Sequence, residues 1–390
     1  MNNAFWPLAV NTWGEEERRA AHAVIDSGRI TMGSKVRAFE EEFAEYIGVD
    51  HAVMVNSGSS ANLLATAAIH YLWSMKSEGQ QEVIVPAIAW PTTYAPLQQY
   101  GNALRIVDVE PQTLNMSAAV ARATSLIDPD KIFGIVGCSV LGNPADLSAL
   151  REIADENGLW FLEDNCESFG ATLHGQHCGT FGDVGTYSMF FSHHMNTCEG
   201  GMLVTDNHDL YEIALCMRAH GWTRDLPISS KLRCGASHHP YDYQFVLPGY
   251  NLRPTEIAAA VGSIQLRRQH ELNAWRIANA IKFHEAFGSD ERYTVQHEIL
   301  HADSIPFGFT LVCRTRAECD EMRSALDGAG IEHRMITGGS FAMHAARRYY
   351  VWKSTFGTPH ADHAHECGLF VGNHPFDLGP QIRKMRGVLQ

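Results

Sequence analysis

The residues best suited to chemistry lie in Ser188-Met-Phe-Phe-Ser-His-His-Met-Asn-Thr-Cys-Glu-Gly-Gly201, where two adjacent imidazoles, His193 and His194, follow an apolar run. An imidazole with an ordinary pKa of about 6.5 serves as a general acid or base at neutral pH. It cannot condense with an aldehyde as a primary amine does. No lysine occurs anywhere between Lys131 and Lys231, so this segment has no amine to offer. A second candidate is Asn56-Ser-Gly-Ser-Ser60, which lies between an apolar run ending at Val55 and a helical stretch starting near Ala61. Free backbone amides at such a helix start point at an anion, with Gly58 and Ser59 as the donors, although Ser-Gly turns before helices are common. A third is Leu159-Trp-Phe-Leu-Glu-Asp-Asn-Cys-Glu-Ser168, an apolar run ending in carboxylates, in which Asp164 could be a simple helix cap.

These three segments need a scaffold that brings loop ends together. Short apolar runs at Ala52 to Val55, Val83 to Val85, Leu104 to Val109, Lys131 to Val136, Leu159 to Leu162, Thr186 to Phe190 and Met202 to Thr205 read as strands. Helical stretches separate them, which predicts a mostly parallel seven-stranded sheet covered on both faces, with ligands at the loops beyond the strand ends. Ahead of it, Thr12 with Glu15 gives a capping-box signal for a helix to Ser27. Ser34 is expected to cap a second helix, whose Val36, Phe39, Phe43 and Ile47 form one buried face that Gly48 ends. Pro254 opens a long helical region through Phe287. Phe307 to Cys313, a helix from Ala317 to Ala329 and the Leu369 to Val371 run then build a smaller α+β unit, so two domains are expected, 1–252 and 253–390.

Composition narrows the function classes. A formal charge of −14 argues against a nucleic-acid partner, which would require a basic face. No apolar run reaches the length of a membrane helix, and the start Met-Asn-Asn-Ala-Phe-Trp-Pro lacks the features of a signal peptide, so a cytoplasmic protein without membrane contact is expected. Nine cysteines, an odd number with no Cys-x-x-Cys pair, read as reduced thiols. His360, His363, His365 and Cys367 crowd together without a usual zinc spacing, and no metal is expected there.

The segment at 188–201 resembles Ser-Phe-x-x-x-Lys-(x)5-Glu-Gly-Gly of the pyridoxal-phosphate sugar aminotransferases, the DegT/DnrJ/EryC1/StrS family, with His193 at the lysine position by both counts. That resemblance spans nearly the whole chain. It implies an aspartate-aminotransferase-like α/β fold (fold type I) with a smaller C-terminal α+β domain. It also implies that the cofactor, pyridoxal 5'-phosphate or pyridoxamine 5'-phosphate, is held without a covalent link. The family's phosphate turn falls on Gly58 and Ser59, with Ser188 adding a hydroxyl. Asp164 matches the aspartate that keeps the pyridine nitrogen protonated, and Glu167 the polar group near the ring hydroxyl. Trp90, in Pro86-Ala-Ile-Ala-Trp90, falls where an aromatic ring stacks on the cofactor, though its residue type alone fits core packing equally well.

Gly249-Tyr-Asn-Leu-Arg253 matches the stretch that reaches the neighbouring subunit, so Asn251 would contact phosphate across a homodimer interface with shared sites. His220, Arg224 and Arg253 are candidates for the carboxylates of glutamate or for the sugar diphosphate, two roles the residue types leave undivided. Arg29, Thr31 and Glu332 complete the implied substrate-binding set. Within the family, a His-His pair at the lysine position resembles the nucleotide-sugar 3-dehydratases. This implies removal of the C3 hydroxyl of a 4-keto-6-deoxy sugar, GDP-linked in first place, with L-glutamate as amino donor and His193 as base. The product is a 3,6-dideoxy sugar of the lipopolysaccharide O-antigen type. Two rivals stand beside this reading: a CDP-sugar 3-dehydratase working with a reductase, and a non-catalytic relative that binds cofactor or nucleotide sugar.

Overall fold

The computed structural model describes residues 4–73, 81–233 and 243–390. The first five apolar runs become β1 (His51–Val55), β2 (Glu82–Pro86), β3 (Ala103–Val107), β4 (Ile132–Cys138) and β5 (Trp160–Asp164). A small hairpin, β6 (Thr172–Leu173) and β7 (Gln176–His177), precedes β8 (Val184–Ser188) and β9 (Gly201–Thr205). The strand expected to run to Phe190 stops at Ser188, whose hydroxyl accepts the Phe190 N–H at 3.3 Å and turns the chain. Later come β10 (Tyr293–Thr294), β11 (Ala302–Asp303), β12 (Gly308–Cys313), β13 (His333–Arg334), β14 (Trp352–Lys353) and β15 (Gly368–Gly372).

The seven expected strands form one sheet in the order β1-β9-β8-β5-β4-β2-β3, to which the two-residue β14 adds an eighth strand beside β3. Only β9 runs against the rest. The carboxyl ends of β1, β2, β4, β5 and β8 therefore share one edge with the start of β9, and the loops beyond that edge carry the candidate site. A four-stranded antiparallel sheet, β10-β12-β15-β13, forms the centre of the smaller α+β unit, and β11 joins the β6–β7 hairpin. Phe309 and Leu311 of β12 belong to the same apolar core as Val83, Val85 and Ile106 of the large sheet. Burial of such side chains is the main favourable term in holding the two sheets together.

Two expected helix starts differ. The first helix runs Glu15–Asp26 with Gly14, not Thr12, at its cap: the Glu17 carboxylate accepts the Gly14 N–H at 2.8 Å. Thr12 instead donates to Gln265 Oε1 at 3.2 Å. The second runs Ser34–Ile47, but Ser34 lies inside the first turn and makes no cap bond. Its amide ends are satisfied from far along the chain, by the Glu256 carboxylate, which accepts from Gly33 N (2.8 Å), Lys35 N (2.9 Å) and Val36 N (2.9 Å). Local pattern could not reveal this, because a capping carboxylate over 200 residues away leaves no signal in a short window. The buried face Val36, Phe39, Phe43, Ile47 and the left-handed Gly48 at its end are as expected. The region after Pro254 is two helices, Glu256–Arg267 and Gln269–Phe287, the first of which packs on both N-terminal helices.

Glu256→Gln should therefore lower stability by about 1–3 kcal/mol, since one neutral oxygen replaces a buried carboxylate holding three amides. A urea midpoint within error of the parent would show that solvent can satisfy those amides.

Candidate active site

Cys166 joins the three segments. Its N–H donates to Asp164 Oδ1 at 3.2 Å and its carbonyl accepts the His193 Nδ1–H at 2.6 Å. Its sulfur packs against the start of the helix Gly58–Trp73 so closely that a methyl on Gly58 would lie 2.7 Å from Sγ and 2.6 Å from Ser188 Cβ. A side chain there is excluded, which is why this turn carries glycine. Gly58, Ser188, Asp164 and His193 are thus neighbours around one residue. Ser59 lies on the same turn, its hydroxyl 2.8 Å from that of Thr92.

The histidine pair divides sharply. Because a carbonyl can only accept, the His193 proton sits on Nδ1 and the Nε2 lone pair is left free to take a proton. Burial drives His193 down to about 4, helped by the charge of Arg276 and opposed by the Cys166 carbonyl and Asp164, so it is neutral at neutral pH. Its ring lies 5.0 Å from that of Phe307. His194 points the other way into the core, donating Nε2–H to the Ile305 carbonyl at 2.7 Å.

Asp164 is buried and is no helix cap: Oδ2 accepts from Asn62 Nδ2 (2.8 Å) and Thr93 Oγ1 (2.6 Å), and Oδ1 takes the longer contact from Cys166 N–H. Asn62 is held in turn by the Thr186 hydroxyl at 2.6 Å. Glu167 accepts from Leu141 N (2.9 Å) and Thr337 Oγ1 (3.0 Å), and burial pushes its carboxyl up to about 7. Trp90 caps the helix Pro91–Gln99 with 55% of its surface exposed, so it is not a core residue.

Most of the remaining candidates form a rim, from which Glu332 stands apart. Backbone pairs join Thr31 to Thr255 and Ala219 to Asn251, and Asn56 N–H donates to the Leu252 carbonyl at 3.0 Å, tying this rim to the phosphate turn. Arg29, Thr31, His220 and Asn251 are exposed along it, and Arg253 donates to Asn251 Oδ1 at 2.9 Å. Arg224 lies with its guanidinium 4.2 Å from the Trp222 ring centre. Glu332 stands with the N-terminal arm, accepting the Leu8 N–H at 2.9 Å.

A profile of the DegT/DnrJ/EryC1/StrS aminotransferase family matches residues 11–375. The chain belongs to this family. It is 42% identical to the GDP-4-keto-6-deoxy-D-mannose 3-dehydratase of Yersinia pseudotuberculosis, over 99% of this chain and 98% of that relative. A crystal structure of a mutant GDP-4-keto-6-deoxymannose-3-dehydratase (ColD) with bound GDP-perosamine superposes with a TM-score of 0.94 at 38% identity, covering 99% of this chain and all of that one. A structure of the same enzyme with a trapped PLP-glutamate geminal diamine gives 0.91 at 38% identity, again covering 99% of this chain and all of that one.

Within this family frame, the reading from sequence missed Asn62, Thr93, Cys166, Thr337 and Phe307. Asn62 left one trace, as a polar residue in the apolar start of a helix whose neighbours Ala61, Leu64 and Ala65 are buried. Cys166 acts through backbone atoms and packing, which residue type does not encode. Among the described residues no three His, Cys, Asp or Glu side chains converge on a metal position.

Burial moves the two central groups in opposite directions, and the linkage signs follow. His193 titrates near 4 when folded against an ordinary 6.5, so its contribution to stability is lost as pH falls from 6.5 towards 4. Glu167 titrates near 7 against 4.5, so the stability of its neutral form declines as pH rises from 4.5 to 7. Urea unfolding across that range should show Glu167→Gln without its share of the decline and His193→Asn without its share of the acid loss. Profiles parallel to the parent would mean neither group is withdrawn from water.

Proposed function

We propose that this chain is a pyridoxal-phosphate- and glutamate-dependent 3-dehydratase of GDP-4-keto-6-deoxymannose. The observation that carries the reading is the His193 Nδ1–H bond to the Cys166 carbonyl, which presents an imidazole lone pair where the related aminotransferases carry an amine. The names of the full-length relatives support the nucleotide and the sugar.

The residues present fit the cofactor. Gly58 and Ser59 offer amides at the start of a 16-residue helix, with the Ser188 hydroxyl alongside, which suits a phosphate. Asp164, with one oxygen committed to Asn62 and Thr93, has Oδ1 left to pair with a pyridinium nitrogen. Trp90 presents an exposed ring for stacking, and Glu167 a carboxyl at the edge of its titration at neutral pH. When bound in its pyridoxamine form, the cofactor supplies the amine that activates the C4 ketone and a ring that accepts electrons.

His193 is the base that this chain supplies. Its Nε2, neutral at working pH, takes the proton whose loss lets the C3–oxygen bond break. The imidazolium so formed returns that proton to the departing C3 oxygen as water leaves. Asp164 would pair with the cofactor's ring nitrogen, and the Phe307 ring lies beside the imidazole. With no lysine at position 193 to displace the product, one water would release it as an unsaturated amino sugar and a second would convert that to the 4-keto-3,6-dideoxy sugar and ammonia. L-Glutamate restores the amine for the next turnover.

Arg29, Thr31, His220, Arg224, Arg253 and Glu332 serve the substrate diphosphate, the sugar and the glutamate carboxylates. The chain acts as a homodimer, with Asn251 reaching the phosphate of the partner's site. An exposed aromatic row beside it supports this: Tyr243 is 73% and Phe245 58% exposed, and Trp222 stacks on Tyr243 at 5.0 Å.

Incubation with glutamate, pyridoxal phosphate and separate GDP-, CDP- and dTDP-4-keto-6-deoxy sugars tests the reading. Ammonia and a 3-deoxy product should appear with the GDP sugar, and their absence would refute it. His193→Asn should cut turnover by about 10²–10⁴-fold while the GDP sugar still binds by calorimetry. Borohydride should leave the loaded parent protein unlabelled and label His193→Lys covalently with cofactor. An unlabelled lysine variant would place position 193 away from the cofactor.

A further inference from the structure

The two histidines are tied to different parts of the chain. His194 is fully buried, its Nε2–H donating to the Ile305 carbonyl at 2.7 Å, while its Nδ1 has no partner among the described residues. A single hydrogen bond therefore fixes this ring, and it reaches the strap Ile305-Pro306-Phe307.

Other contacts hold the strap's outer sides. Ile305 N–H donates to the Gly142 carbonyl at 3.1 Å and Phe307 N–H to the Leu141 carbonyl at 2.9 Å. Asn373 donates its side-chain amide to the Pro306 carbonyl at 2.9 Å and its N–H to the Phe307 carbonyl at 3.2 Å, and Arg276 donates to the Asn373 carbonyl. Gly142 admits the strap only because it is glycine: φ is +87°, and a methyl there would lie 2.0 Å from the Ile305 oxygen. On the inner side the Phe307 ring lies 5.0 Å from His193 and 5.9 Å from His194.

We propose that His194 is a positioning residue, whose Nε2–H latches the Ile305–Phe307 strap so that the Phe307 ring lies against His193 and keeps water from that imidazole. The inference rests on His193 being the base. The groups that face His193 are the Cys166 carbonyl, Asp164, Arg276 and the neutral His194. Loosening the strap hydrates His193 and lets it return towards its ordinary protonation range.

Two substitutions separate the bond from the bulk. Glutamine at 194 carries an amide donor at the reach of Nε2, whereas leucine fills the space without one. NMR titration of the His193 ring in the purified protein should give parent-like behaviour in His194→Gln and an upward shift of about one pH unit or more in His194→Leu. The acidic limb of the pH profile of kcat should move with it, KM for the sugar changing by less than about threefold. Phe307→Ala, which leaves the His194 bond intact, should shift His193 in the same direction and covers the case in which the leucine variant does not fold. Equal titrations in the glutamine and leucine variants, or an unchanged His193 in Phe307→Ala, would overturn the proposal. The dehydratase reading fails separately, by absence of turnover in the parent, and the NMR result stands whichever way that falls.

Discussion

The hydrogen bond from His193 Nδ1 to the Cys166 carbonyl is the contact on which the site depends. A carbonyl acceptor decides the imidazole's tautomer, and with it which nitrogen faces the pocket as a base. The same residue's amide holds Asp164, and its sulfur lies against Gly58. His193, Asp164 and the turn at Gly58 are therefore set by one short stretch of backbone just past the end of β5.

Burial weakens two of the charges at the pocket's centre, beside Asp164 and Arg276. Burial removes the positive charge from His193 and weakens the negative charge on Glu167, with values of about 4 and about 7 that leave the first neutral and the second half-protonated near neutrality. Arg29, Arg224 and Arg253 stand on the periphery. With an overall charge of −14, an anionic ligand of this protein depends on such local guanidinium groups.

Evidence of the fold was strong in the sequence because seven apolar runs alternating with helices leave few ways to bury both faces of a sheet. β14 escaped notice, since two residues carry no period, and so did the Glu256 cap, whose partners are over 200 residues away. Among the candidate site residues, residue type left alternatives open that the structure narrows. Trp90 was as compatible with a core as with a ligand until its exposure separated the two, and Asp164 with a helix cap until Asn62 and Thr93 were seen bound to it.

By itself the sequence determined which chemistry is possible: an imidazole at position 193 with no lysine within the surrounding hundred residues excludes a covalent amine link, and side-chain identity alone decides that. It could not decide how the two adjacent histidines differ. His193 and His194 have the same ring and nearly the same place in the chain, yet one faces the pocket and the other the Ile305 carbonyl. That choice belongs to the tertiary structure, because it rests on backbone carbonyls from the turn after β5 and from the strap before β12, Cys166 and Ile305, which lie 139 positions apart in the chain and come together only when the sheets pack.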